Sequence, residues 1–179
     1  IIILLLLPLS MFGQRIDYLT SCTDWGKEIP QIKLYIKGLN KILLDNFSEK
    51  PLARYVVRPS FDPEYCFQIE QLEGNSYILK VTYLRTNYWY LKNRDTINPV
   101  RVEKKISSEF AQNIGTLFEK ALDSVDHRPG IIEGIDGVEY FLYKYSENRK
   151  ISCGRTWSPS KGSKMYELID ICDRIVNYA

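Results

Sequence analysis

The stretch Tyr65-Cys66-Phe67-Gln68-Ile69-Glu70-Gln71-Leu72-Glu73-Gly74-Asn75-Ser76-Tyr77-Ile78-Leu79-Lys80-Val81-Thr82-Tyr83 decides how this chain folds. Tyr65, Phe67 and Ile69 fall on one face of an extended segment, and Cys66, Gln68 and Glu70 on the other. Glu73-Gly74-Asn75-Ser76 carries the residue types of a tight turn. Beyond it Tyr77, Leu79, Val81 and Tyr83 repeat the period of two. Two alternating runs around a turn predict an antiparallel hairpin.

The flanking segments read outward from that hairpin. Before it, Tyr55 and Val57 alternate in a short run ended by Pro59. Earlier still, Ile29, Ile32, Ile36, Leu39, Leu43 and Phe47 recur at helical spacing. Pro30 suits the first turn of that helix. Gly38 lies inside it, at a cost of about 1 kcal/mol relative to Ala. After the hairpin, Tyr88 to Leu91 is expected to add a short strand. Val100, Val102 and Ile106 alternate with charged residues in a half-buried one. Ser107 or Ser108 caps a helix with the stripe Phe110, Ile114, Leu117, Phe118, Ala121 and Val125. A glycine-containing loop around His127 follows, then strands near 138–146 and 149–157. A closing helix capped by Ser163 buries Met165, Leu168, Ile169, Cys172, Ile175 and Val176. Most links are too short for parallel crossovers. The expected fold class is therefore α+β, an antiparallel sheet of about six strands with three helices packed mainly on one face.

The chain has 179 residues, enough for one domain with a substantial core. Ile1 to Leu7 is an unbroken apolar run, and Pro8 to Gln14 follow it. Such a run fits the apolar core of a secretory signal better than a membrane span, which needs roughly 20 apolar residues. Residues 1–13 are accordingly expected to be a signal-peptide remnant and residues 14–179 a single α+β domain, exported to the periplasm or beyond. The absence of an initiating Met and a basic leader predicts loss of residues upstream. The competing reading is the end of a membrane anchor. Leu19-Thr20-Ser21-Cys22 has the form of a lipoprotein processing box, but Arg15 and Asp17 separate it from the apolar run, which argues against acylation.

Four cysteines, Cys22, Cys66, Cys153 and Cys172, allow three full pairings in an exported chain. Cys153 lies in the expected strand before the last helix and Cys172 on the apolar face of that helix. A disulfide between them is the expected pairing; two buried thiols are the alternative. No CxxC is present, which disfavours zinc ribbons and thioredoxin-like redox chemistry. His127 is the sole histidine, with no calcium-loop spacing among Asp123, Asp126 and Glu133. No metal and no cofactor is implied. No GxSxG elbow is present. Gly154 to Lys164 does not fit a phosphate loop, because Lys161 precedes Gly162. Cys66, on the polar face of its strand, is the less implausible nucleophile. A net charge of +2 is too small to indicate nucleic acid or an anionic membrane as partner.

The aromatic residues carry the functional expectation. Tyr88, Trp89 and Tyr90 sit among Arg85, Asn87 and Lys92, while Arg155, Trp157 and Lys161 form a second set. Aromatic faces stack on sugars, and arginine and lysine orient polar groups. Cross-strand aromatic packing is the plainer account. These six residues are the expected ligand-binding set, and no catalytic residue is expected.

Phe12-Gly13-Gln14 closing the apolar run, Asp136-Gly137-Val138-Glu139-Tyr140-Phe141, and Thr156-Trp157-Ser158-Pro159 ahead of a final helix resemble small exported envelope proteins of the Bacteroidetes type. The resemblance covers the signal and residues 136–179. It implies export and brings no particular activity with it. Together these readings predict a non-catalytic binding or interaction module of the cell envelope, its partner an envelope glycan or a protein. An envelope hydrolase assembled only in three dimensions and a structural or assembly protein are the alternatives.

Overall fold

The computed structural model describes residues 18–22, 29–127, 136–148 and 150–179. The expected signal at 1–13 and most of the loop after His127 lie outside the described residues. Three α-helices and seven strands are described: β1 Thr20–Ser21, α1 Pro30–Leu43, β2 Ala53–Pro59, β3 Tyr65–Gln71, β4 Tyr77–Tyr83, β5 Val100–Ile106, α2 Ser108–Asp123, β6 Val138–Ser146, β7 Lys150–Trp157 and α3 Lys164–Tyr178. The strands form one antiparallel sheet in the order β1-β7-β6-β2-β3-β4-β5.

The hairpin forms as its alternation predicts, with Phe67 opposite Val81 and Ile69 opposite Leu79. A single 3-10 turn, Glu73–Asn75, links the two strands, and Gly74 adopts the left-handed φ of 68° that it needs. β2 to β5 run as a meander. α2 then carries the chain back across the sheet, so that β6 pairs with the free side of β2.

α2 and α3 pack on one face, over Tyr55, Phe67, Ile69, Leu79, Val81 and Leu142. Their starts are capped as expected: Ser107 Oγ accepts from Phe110 N–H and Ser163 Oγ from Tyr166 N–H, both at 3.1 Å. α1 packs on the opposite face, where Leu39 and Leu43 meet Val56, Cys66 and Phe141. The sheet centre is thus covered on both sides. The Cys66–Gln68–Glu70 face of β3, polar in sequence, is buried beneath α1.

The polar groups on that buried face find partners within the fold. Gln68 Nε2 donates to Glu70 Oε1 at 2.7 Å and to Ser48 O at 2.9 Å. Glu70 also accepts from Ser48 N–H at 2.7 Å and pairs with Lys80 at 3.0 Å. Arg54 donates to Gln68 and to Ser48 O. The loop after α1 therefore closes a polar ladder running across β2, β3 and β4.

β1 is a strand too short to show in the hydrophobic pattern. Ser21 N–H donates to Asp126 O, and Asp126 N–H to Leu19 O. Leu19 is fully buried and lies against Gly154, whose missing Cβ makes room for it.

The expected Cys153–Cys172 pairing is not formed; Cys153 is bonded to Cys22, with a Cα–Cα distance of 5.6 Å. The physical reason is the sheet itself. Cys153 packs on the α1 face, and Cys172 projects from α3 into the core of the other face. Cys172 is a fully buried free thiol, held well above its ordinary pKa by burial. Among the described residues no helix is long and apolar enough to cross a membrane.

The disulfide closes 131 residues of chain. Replacing Cys22 by Ser should lower stability by about 2–4 kcal/mol, the usual range for such a link. Non-reducing peptide mapping should recover Cys22 joined to Cys153, with Cys66 and Cys172 free. Recovery of a Cys153–Cys172 peptide would contradict the two-face arrangement.

Candidate functional site

The six residues expected to bind a ligand fall in three places: Tyr88, Trp89 and Tyr90 in one turn, Arg155 and Trp157 on β7, and Lys161 in the turn before α3. Tyr88, Trp89 and Tyr90 form a 3-10 turn instead of the expected strand. Two of their backbone donors are claimed by side chains. Trp89 N–H goes to Asn87 Oδ1 and Tyr88 N–H to Glu64 Oε2, each at 2.9 Å. Asn87 Nδ2 in turn donates to Pro59 O and Asp62 O, which fixes the turn against the end of β2.

Glu64 is the anchor. It is fully buried, and its second oxygen accepts from Tyr35 Oη of α1 at 2.7 Å. One carboxylate thus joins α1, β3 and the aromatic turn. Burial raises its pKa, while the Tyr88 and Tyr35 hydrogen bonds and the charge of Arg58 oppose the shift.

Around this anchor aromatic rings and guanidinium groups interleave. Tyr35 meets Trp89 edge to face with centroids 5.2 Å apart, and Tyr88 at 5.9 Å. Arg94 lies over the Tyr88 ring at 4.8 Å and Arg58 over Phe141 at 4.3 Å. Arg58 is the ladder partner of Glu139, and Glu139 that of Trp157. Arg155 Nη1 pairs with Glu139 at 3.0 Å. Tyr88, Trp89, Arg155 and Trp157, far apart in sequence, are therefore linked on the α1 side of the sheet through Tyr35, Arg58 and Glu139. Tyr90 is 56% exposed and Trp89 43% exposed. Lys161 stands apart, exposed in the turn before α3.

Three arginines of this region, Arg58, Arg94 and Arg155, keep a buried Nε with no hydrogen-bond partner among the described residues. A buried donor without an acceptor is costly. The sequence signalled Tyr88, Trp89 and Arg155 through local aromatic–basic composition. It held no signal for Tyr35, Arg58, Glu64 or Glu139, because each reads as an ordinary helix or strand residue.

No family model, curated protein or solved structure matches this chain.

Cys66 is not an available nucleophile. Its Sγ donates to Leu43 O inside the α1-face core, and burial pushes its pKa up to about 12. His127 is exposed, four residues beyond the end of α2. Among the described residues no three His, Cys, Asp or Glu side chains are grouped to hold a metal ion.

A second polar cluster lies on the other face. Tyr55 and Tyr65 both donate to Asp173 Oδ1, at 2.9 and 2.8 Å. Tyr140 stacks on Tyr55 with centroids 6.1 Å apart. Burial and the neighbouring Asp170 raise the pKa of Asp173 against the effect of the two hydroxyl donors.

Two measurements check these geometries. A Cβ at Gly38 would overlap the Tyr88 hydroxyl. Gly38→Ala should therefore destabilise the protein by about 1–3 kcal/mol despite its better helix propensity. Tyr88→Phe in the same chain should recover part of the loss, and a denaturation cycle of the four proteins measures the coupling. For Asp173, a raised folded pKa means that its contribution is present below the ordinary carboxylate range and lost as pH rises through the folded value. Asp173→Asn keeps an acceptor for both tyrosines and cannot ionise. Its Tm relative to wild type should rise between about pH 4 and pH 7. A constant difference would show that Asp173 does not titrate differently on folding.

Proposed function

We propose that the protein is an exported binding module of the cell envelope that recognises an anionic glycan through the aromatic–arginine end of the α1 face. The observation that carries this reading is the interleaving of the cationic Arg58, Arg94 and Arg155 with aromatic rings, beside a Trp89 ring held out by a braced turn. Guanidinium donors match carboxylate and sulfate oxygens, and a rigid aromatic ring stacks on a sugar face at low entropic cost. Glu64 and Glu139 balance part of the positive charge, so the site favours a ligand carrying both hydroxyls and anionic groups over a bare polyanion.

The Cys22–Cys153 bond supports export, because such links persist in oxidising compartments. It also occupies the sulfur that a lipoprotein box at Leu19–Cys22 would require for acylation. The likeness of residues 136–179 to Bacteroidetes-type envelope proteins supports the same location. Burial of Cys66 weakens the hydrolase alternative in its thiol form.

Thermal denaturation against uronate-containing, sulfated and neutral oligosaccharides tests the reading. A ligand at about 100 times its Kd adds roughly 2.7 kcal/mol, which is readily seen as a Tm shift. Anionic oligosaccharides should give the shift, and it should shrink with added salt. Trp89→Ala combined with Arg155→Gln should abolish it while the circular dichroism spectrum is unchanged. An undiminished shift in that double variant would remove the site assignment. No shift with any glycan would remove the glycan reading and favour a protein partner.

A further inference from the structure

We infer that the cleft on the opposite face, between α3 and the β6–β7 edge, is a second binding site, for an organic ammonium group. The cleft encloses about 350 Å³ and is lined by Tyr140, Ser158, Pro159, Tyr166, Ile169, Asp170 and Asp173. That volume suits a small headgroup or a side-chain terminus. Among the described residues two carboxylates line it and no basic side chain does. Tyr140 and Tyr166 supply aromatic wall and Ile169 apolar surface. This is the composition that attracts a cation carrying alkyl groups: a ring quadrupole, a negative charge, and a surface for methyl or methylene groups.

The carboxylate is held in place. Tyr55 and Tyr65 hydroxyls fix Asp173 through Oδ1, and among the described residues those are the side-chain hydrogen bonds it makes. Its second oxygen therefore retains capacity for a ligand. Asp170 is engaged with Arg174 at 2.7 Å, an exposed i,i+4 pair that solvent already weakens. Thr156, directly across the ladder from Tyr140, adds a buried hydroxyl with no hydrogen-bond partner among the described residues. Polar capacity left over on this side of the sheet is thus concentrated beside the cleft.

The site is independent of the glycan surface, since α3 and Tyr140 lie across the sheet from Trp89. Choline, ethanolamine and 3,3-dimethylbutan-1-ol separate the contributions. The first two carry the ammonium charge with and without methyl groups, and the third has the shape of choline without its charge. Titration of the whole protein, followed by the ring resonances of Tyr140 and Tyr166, should show saturable shifts with choline or ethanolamine and none with the neutral alcohol. Asp173→Asn, which preserves the tyrosine hydrogen bonds, and Tyr166→Ala, a change at a surface ring, should each weaken binding about tenfold. Trp89→Ala should leave it unchanged, so loss of glycan binding and loss of ammonium binding are read separately. Absence of saturable shifts with both amines, equal binding of the neutral alcohol, or undiminished binding in Asp173→Asn and Tyr166→Ala would overturn the assignment.

Discussion

Burial of β3 on both faces is the constraint from which the rest of the structure follows. A central strand carrying Cys66, Gln68 and Glu70 on one side, with Glu64 just before it, tolerates a covering helix only if every polar group there is satisfied. Glu70 and Gln68 achieve this through Arg54, Lys80 and the backbone of Ser48. Glu64 achieves it through Tyr35 and Tyr88. α1 is consequently fastened by its following loop and, near its middle, by Tyr35. The aromatic turn is fastened with it. Surface features of the α1 side are therefore consequences of polar satisfaction in the core.

The same constraint gives the two faces different chemistry. On the α1 side, basic groups of β2 and β7 stand beside aromatic rings, and arginine donors are left over. On the α3 side, tyrosine hydroxyls converge on one aspartate, and the surplus is negative. A single sheet thereby separates the proposed anion-binding surface from the proposed cation-binding cleft. The Cys22–Cys153 link ties the edge strand β1 to β7 on the α1 side and leaves the α3 side unconstrained by any cross-link.

Much of the fold was legible in the chain. The period of two across residues 65–83, the helical stripes of α2 and α3, and the serine caps at 107 and 163 each rest on contacts within a few residues. Local rules therefore suffice for them. β1 was illegible because two residues carry no periodicity; it exists through Leu19, Gly154 and the backbone of Asp126. The strand expected at Tyr88–Leu91 is a turn because Asn87 and Glu64 capture its N–H groups, and Glu64 is remote in sequence.

The sequence by itself determined an antiparallel α+β domain, an aromatic–basic segment at 88–92, and the lack of any recognisable metal or nucleophile motif. Those follow from composition and from spacing along one chain segment. The tertiary structure alone decided which cysteines bond, which face of β3 is covered, and which distant residues share a site. Each depends on the side of the sheet to which a helix is carried. Alternation reveals that a strand has two faces but not what will lie on either. Cys153 could therefore be placed beside the last helix in sequence and still be separated from it by the full thickness of the sheet.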